Sequence, residues 1–424
     1  MIPLTWDEVD ALALGRLEGA PTDGTIRRVH DDSRDARPGD LFVALNSGTR
    51  FVEDARTRGA ATLVPDDQEA ALGTLASLVR SRSDAQVVAV VGSTGKTTTK
   101  DALGALAGAV VPTVAADASR NNELGLPLTV LRLEPGTRVL VTEMGMRGLG
   151  QIAELCAVAQ PTAVLVTSIG PEHLELVGTV ENVARANAEA LDALPPHGIA
   201  VVPADEPLLE PYLREDLDVR RVDRIGVERA DAAWRFTVAG RSVQLELPFD
   251  QRHLAENVLA ALTMYDALGL PLDRADEGAG AIRLSRWRGE VRELPGGGFV
   301  VNDAYNANPT SMRAALVDLA ERAGDRRRVA ILGEMAELGE HSARYHGEVR
   351  ALLGELGIEV VVAVGDGGRA YVGGADEQLL VPDVAAFSEI AGVLRPGDAI
   401  LVKASRAVGL EGIPALIEKH SRAW

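Results

Sequence analysis

The chain has 424 residues, 46% of them hydrophobic, and carries a net charge of −19. Such a length exceeds one ordinary core, so two or three domains are expected. The negative balance argues against a nucleic-acid partner; no apolar run is long enough to insert in a membrane; and the single cysteine, Cys156, excludes a disulfide framework and suits a reducing cytosol.

The first stretch, MIPLTWDEVDALAL, has no basic segment followed by an apolar one, so no signal peptide and a cytoplasmic location are expected. Residues 1–84 read as a small α/β unit. Trp6 to Leu14 forms a helix with Thr5 as N-cap, and Pro38-Gly39-Asp40 turns the chain into the strand Leu41 to Leu45. Between them, Asp32-Ser33-Arg34 reads on physical grounds alone as a solvated surface loop.

A second unit starts at the valine-rich strand Val87 to Val91, followed by Gly92-Ser93-Thr94-Gly95 and then Lys96-Thr97-Thr98-Thr99 opening a helix. Strand, glycine loop and helix N-terminus together make a phosphate cradle, because backbone N–H groups converge on an anion and no Cβ obstructs it. In a shortened G-x-x-G-K-T loop of this kind, Lys96 reaches the outer phosphates and Thr97 sits on Mg²⁺. A nucleotide is therefore expected. Lysine occurs only at Lys96, Lys100, Lys403 and Lys419, against abundant arginine. A compact ammonium suits a phosphate loop where a planar guanidinium does not, which makes Lys403 a further candidate.

Next come the polar run Arg120-Asn121-Asn122, the short strand Val139 to Thr142 ending at Glu143, and the strand Val164 to Thr167, which leads through Ser168 to His173. Ligands of open parallel sheets bind at the carboxyl ends of strands. Thr97, Glu143 and His173 could thus share a Mg²⁺ shell completed by phosphate oxygens. Cys156, in IAELCAVA, reads as a buried helical thiol. GIAVVPAD and RSVQLELPF read as antiparallel strands. The helix His253 to Leu268 carries Asn257, either a contact to a base edge or a polar-face residue.

The central unit is taken as residues 85–287 and the last as 288–424. In the latter, strands Gly298–Asn302, Arg328–Leu332, Val360–Val364 and Ala399–Val402 alternate with helices near Ser311–Ala323 and Ser342–Leu356. That alternation predicts a Rossmann-like parallel sheet, without a dinucleotide glycine fingerprint. Polar clusters again follow the strands: Asp303-Ala304-Tyr305-Asn306-Ala307-Asn308-Pro309, Gly333-Glu334-Met335 and Lys403-Ala404-Ser405-Arg406.

The order of these motifs resembles the Mur ligases, ATP-dependent amide-forming enzymes of peptidoglycan synthesis. The GSTGKTTTK loop, Asn121-Asn122, Glu143-Met144-Gly145, His173-Leu174, Asn257 and Arg288-Gly289-Glu290 fall in that family's order over nearly the whole chain. The YNANP and LGEMAELGE segments resemble the member that joins D-alanyl-D-alanine to UDP-N-acetylmuramoyl-tripeptide. The resemblance implies an α/β protein of three domains: a small N-terminal α/β domain for the UDP substrate, a central P-loop ATPase-type sheet, and a C-terminal Rossmann-like domain for the dipeptide. It implies ATP and Mg²⁺ as cofactors, and a monomer is expected.

By motif match, Ser33 and Arg34 fall in the UDP-recognition segment and Asn121-Asn122 beside the nucleotide sugar. Asn257 is implied at the adenine, and Arg288 and Asp303 at the ATP phosphates. Tyr305, Asn306, Lys403 and Ser405 would border the dipeptide. Catalysis would rest on Lys96, Glu143, His173, Arg288 and Asp303, with His253 and His346 as candidate bases only by elimination. A folate-type amino-acid ligase or a regulatory P-loop module are the competing readings.

Three departures from the family pattern stand out. Asn187 occupies the position of a lysine that the family modifies to a carbamate for a second Mg²⁺. The expectation is a weakened second site, or Glu189 in the lysine's place. Ser168 stands where asparagine is common. Ala404 replaces a glycine, which requires that φ there be negative.

Overall fold

A computed structural model describes residues 1–424. By its contacts the chain forms two compact units. The first comprises Met1–Thr167, Arg185–Leu247 and Asn257–Ile282; the second comprises Ser168–Ala184, Pro248–Glu256 and Arg283–Trp424. The small N-terminal sheet thus packs with the central sheet. Two segments placed by sequence in the middle of the chain pack with the last.

In the first unit, strands β1 (Gly15–Glu18), β2 (Val29–His30), β3 (Leu41–Val43) and β4 (Ala61–Pro65) form a sheet of order β1-β4-β3-β2, with only β1 antiparallel. The expected first helix spans Trp6–Ala11, closed by a capping box in which Thr5 and Glu8 satisfy each other's backbone N–H. Helix Gln68–Arg80 packs its apolar face on helices Gly125–Val130 and Gln151–Ala159. Arg80, its last residue and buried, donates from Nε to the Ala159 carbonyl at 2.9 Å.

The central sheet contains β5 (Gln86–Val91), β6 (Thr113–Ala115), β7 (Val139–Glu143), β8 (Ala163–Val166), β9 (Ile199–Pro203) and β10 (Asp218–Val222), all parallel, in the order β10-β9-β8-β5-β7-β6. Here one expectation fails. Ile199–Pro203, read as antiparallel, lies parallel between β8 and β10. Its unbroken apolar run is the mark of a strand buried on both faces, as in parallel sheets. RSVQLELPF does join an antiparallel meander, β11 (Val227–Ala230), β12 (Ala233–Val238) and β13 (Arg241–Leu245). Phe236 and Val238 face inward there while Arg235 and Thr237 face out.

The second unit is built on β14 (Glu290–Glu293), β15 (Phe299–Asn302), β16 (Arg328–Leu332), β17 (Val360–Val364), β18 (Glu377–Val381) and β19 (Ala399–Lys403). Its order is β14-β15-β19-β16-β17-β18, with β14 alone antiparallel. Val300, Ile331, Val362, Ile400 and Val402 line one face of this sheet and pack with Ile390 of helix Phe387–Val393 and Ile413 and Ile417 of helix Ile413–Ser421. The last strand inserts between β15 and β16, and its register pairs Val402 with Asn302 and Lys403 with Leu332. Three polar loops, distant in sequence, therefore leave the sheet side by side. Helix Pro309–Ala323 starts behind them, with Asn308 and Ser311 forming a capping box.

Candidate active-site groups

The phosphate loop connects β5 to helix Lys96–Gly108. Gly95 is its N-cap, at φ +83°, and no side chain caps the helix; a helix N-terminus of this kind favours an anion. A Cβ on Gly95 would stand 2.3 Å from Asn257 Oδ1. Asn257, expected at the adenine, thus lies with its amide against the loop. Lys96 donates from Nζ to the carbonyl of Gly92. Ser93, Thr97 and Thr98 are buried.

At the end of β7, Glu143 is only 1% exposed. Its Oε1 accepts from Asn121 Nδ2 at 2.8 Å, while the equally buried Oε2 has no hydrogen-bond partner. A desolvated carboxylate oxygen left this way is costly unless a cation meets it. Glu143 therefore fits a cation that other oxygens complete; Thr97, its expected co-ligand, is buried in the first turn of helix Lys96–Gly108. No group of three His, Cys, Asp or Glu side chains could hold a metal alone. His173, expected in the same shell, belongs to the second unit, where its Nδ1 meets Glu337.

Asn187 is 1% exposed, and its Oδ1 accepts from the N–H of Gly92 at 2.7 Å. Sequence reasoning missed this role. A signal existed, since Asn187 stands four residues from both buried Val183 and buried Leu191, on the apolar stripe of helix Val180–Asp192. Glu189 does not take the lysine's place. Its two oxygens accept from the N–H groups of Gly150 (2.6 Å) and Ala153 (3.1 Å), capping helix Gln151–Ala159.

The groups expected to meet the UDP substrate are largely engaged locally. Asp32 grips the Arg34 guanidinium through both carboxylate oxygens, which holds the Asp32 carboxyl down at about 2. Ser33 is buried in the 3₁₀ turn that follows. Asn121 serves Glu143, and Asn122 Oδ1 accepts from the N–H of Gly125 at 2.9 Å at the start of a helix.

In the second unit, Lys403 is 2% exposed and serves as a hub. Its Nζ donates to Asp303 Oδ2 (2.6 Å) and to the carbonyls of Asn306 (2.9 Å) and Asp303 (3.4 Å). The ammonium clamps the loop after β15, leaving Asn306 exposed at the tip. Ser405 ties in the loop after β16: its Oγ accepts from Ala336 N–H (2.8 Å) and donates to the Ala307 carbonyl (3.3 Å). Between them, Ala404 keeps a negative φ, as its replacement of glycine required. Arg288 lies over the Tyr305 ring at 3.9 Å, and Arg406 over Trp287 at 4.2 Å.

The two candidate bases separate on geometry. His346 Nε2 accepts from Met335 N–H at 3.0 Å and Nδ1 meets the Ser342 carbonyl at 2.8 Å, which fixes a neutral tautomer with both nitrogens in use. Burial pushes the His253 imidazole below its ordinary value, against the opposing pull of Asp318 and Asp303.

Comparison with known proteins gives two family matches, the Mur ligase middle domain over residues 90–265 and the Mur ligase glutamate ligase domain over residues 287–406. The chain is 31% identical to the UDP-N-acetylmuramoyl-tripeptide–D-alanyl-D-alanine ligase of Bacillus subtilis, over 97% of this chain and 98% of that one. It superimposes on MurF from Acinetobacter baumannii with a TM-score of 0.85 at 27% identity, covering 98% and 99% of the two chains. The Thermotoga maritima MurF ligase in complex with ADP gives 0.80 at 27%, covering 94% and 98%.

Proposed function

Because the chain belongs to the Mur ligase family, we propose that it joins D-alanyl-D-alanine to UDP-N-acetylmuramoyl-tripeptide at the expense of ATP. The reaction is a cytoplasmic step of peptidoglycan synthesis. The observation that carries this reading is the presence in one chain of a phosphate loop whose helix has no side-chain cap and of a Lys403-clamped YNANP loop, in a chain alike in length to relatives of that name.

The tripeptide carboxylate attacks the γ-phosphorus of ATP, ADP leaves, and the carboxyl is activated as an acyl phosphate. The dipeptide amine then adds to the acyl carbon, and phosphate departs with the C–O electron pair as the amine loses a proton. Gly92 to Thr98 bind the triphosphate, with Lys96 drawing its charge and Asn257 bracing the loop beneath. Arg288, over the Tyr305 ring, is by motif match a further cation for phosphate charge. Mg²⁺ held by Thr97 and Glu143 would supply positive charge where the phosphoryl group is transferred. Two anionic partners must be brought together, so positioning and charge neutralisation carry most of the rate.

Asn306 at the exposed tip, with Tyr305, receives the dipeptide on a loop that Lys403 and Ser405 hold rigid. Ser33 and Arg34 lie in the segment assigned to the uridine nucleotide. Of the two histidines, His253 remains the candidate base, with burial pushing its imidazole below its ordinary value. The domain limits 1–84, 85–287 and 288–424 follow from the same reading.

The test is phosphate release from ATP with UDP-N-acetylmuramoyl-tripeptide, with and without D-alanyl-D-alanine, followed by product mass. Release that needs the dipeptide and yields the pentapeptide product is expected. ATP turnover indifferent to the dipeptide would sink the assignment.

A further inference from the structure

We infer that Asn187 is a positioning residue for the phosphate loop, and that the nucleotide pocket takes a single divalent cation. The inference rests on the reading of Gly92–Thr98 as the ATP loop.

Gly92 is the first residue past β5 and turns the chain at φ +121°. Both polar groups of its backbone are engaged. Asn187 Oδ1 takes its N–H at 2.7 Å, and Lys96 Nζ donates to its carbonyl. The amide thus fixes the peptide that the phosphate-binding lysine leans on, so a shift at Asn187 passes through Gly92 to Lys96. Buried at 1% exposure, Asn187 leaves the Gly92 N–H no access to water as a substitute.

The same contacts disagree with a second cation of the lysine-carbamate kind. At that position stands a neutral amide whose oxygen already accepts a hydrogen bond. The nearest helical carboxylate in sequence, Glu189, has both oxygens on the N-terminus of helix Gln151–Ala159. A metal drawing on Glu189 would compete with that helix cap for the same oxygens. The unpartnered anionic oxygen lies at Glu143, where one ion fits.

The experiment counts Mn²⁺ bound to the full chain by electron paramagnetic resonance, with saturating β,γ-methylene-ATP and the UDP-tripeptide. One ion per chain is expected. A second ion of comparable affinity overturns the inference, whereas failure to bind the nucleotide at all overturns the reading of the loop beneath it. In parallel, Asn187→Leu matches the side chain in size but leaves Gly92 N–H unpaired, and Asn187→Asp retains an acceptor. The leucine variant is expected to raise the KM for ATP by about tenfold or more, with the KM of the UDP substrate and the dipeptide unmoved. The aspartate variant should lose less. An unchanged KM for ATP in Asn187→Leu, or equal losses in both variants, overturns the positioning role. Should the leucine variant not fold, the Mn²⁺ count on the unaltered chain decides the cation number, and Asn187→Ala, which also lacks the acceptor, replaces it in the KM comparison.

Discussion

Replacing Lys403 by methionine removes the ammonium while keeping an unbranched side chain of similar length. Three acceptors lose their donor at once: Asp303 Oδ2 and the carbonyls of Asn306 and Asp303. Breaking one side of a buried ion pair costs about 3–5 kcal/mol. The Asp303 side chain keeps 18% of its exposure, so water recovers part of its charge and the lower end, about 3 kcal/mol, is expected. Urea unfolding of Lys403→Met reads that loss directly. Released from its clamp, the loop bearing Asn306 should also raise the KM for D-alanyl-D-alanine by about tenfold, worth about 1.4 kcal/mol. ADP affinity, measured by calorimetry, should stay put. Lys403→Arg should not rescue, because a planar guanidinium cannot replace a compact ammonium among three converging acceptors. Adding Asp303→Asn to the methionine variant should restore about 1 kcal/mol or more, the coupling expected of neighbours. A methionine variant within about 1 kcal/mol of the parent, with its KM for the dipeptide unmoved, would refute the clamp.

Further outcomes follow from single residues. Glu143→Gln should stabilise the metal-free protein, since a neutral amide costs less to bury than an unpaired carboxylate oxygen, and should abolish the gain in melting temperature on adding Mg²⁺ with ADP; thermal unfolding checks both. His346→Phe should lower stability yet leave the pKa values of the kcat–pH profile in place, because both ring nitrogens are already bonded; a shifted limb would restore His346 as a base. Burial pushes the Cys156 thiol up to about 12, so it stays protonated and slow toward thiol reagents at pH 8 until the protein opens. The folded pKa being the higher one, this thiol's contribution to stability falls as pH rises from about 9 toward 12, and Cys156→Ala should flatten that slope in urea titrations.

Much of the architecture was legible because it rests on local patterns. Valine runs marked β5 and β17, Thr5 and Glu8 announced their capping box, and Gly95 announced a backbone turn that a side chain would obstruct. Strand ends were legible too, and with them the polar loops of both sheets. Partnerships across the sequence were not. Nothing in the order of residues says that Asn187 meets Gly92, that His173 pairs with Glu337, or that Glu189 caps a helix 36 residues earlier. Those choices are made by tertiary packing, and a motif names a residue without naming its neighbour. Direction misled in one case, Ile199–Pro203, where a buried apolar run was taken without its parallel partners.

The burial of the lysines has a practical side. Lys100 and Lys403 are 1% and 2% exposed, and Lys96 is folded onto its own loop, whereas Lys419 lies exposed near the end of the last helix. Among side chains, Lys419 is then the principal handle for amine-directed chemistry on the folded protein. A surface or fluorophore attached through it would sit on helix Ile413–Ser421, with Lys96 left to report, by its own slow acylation, whether nucleotide is bound.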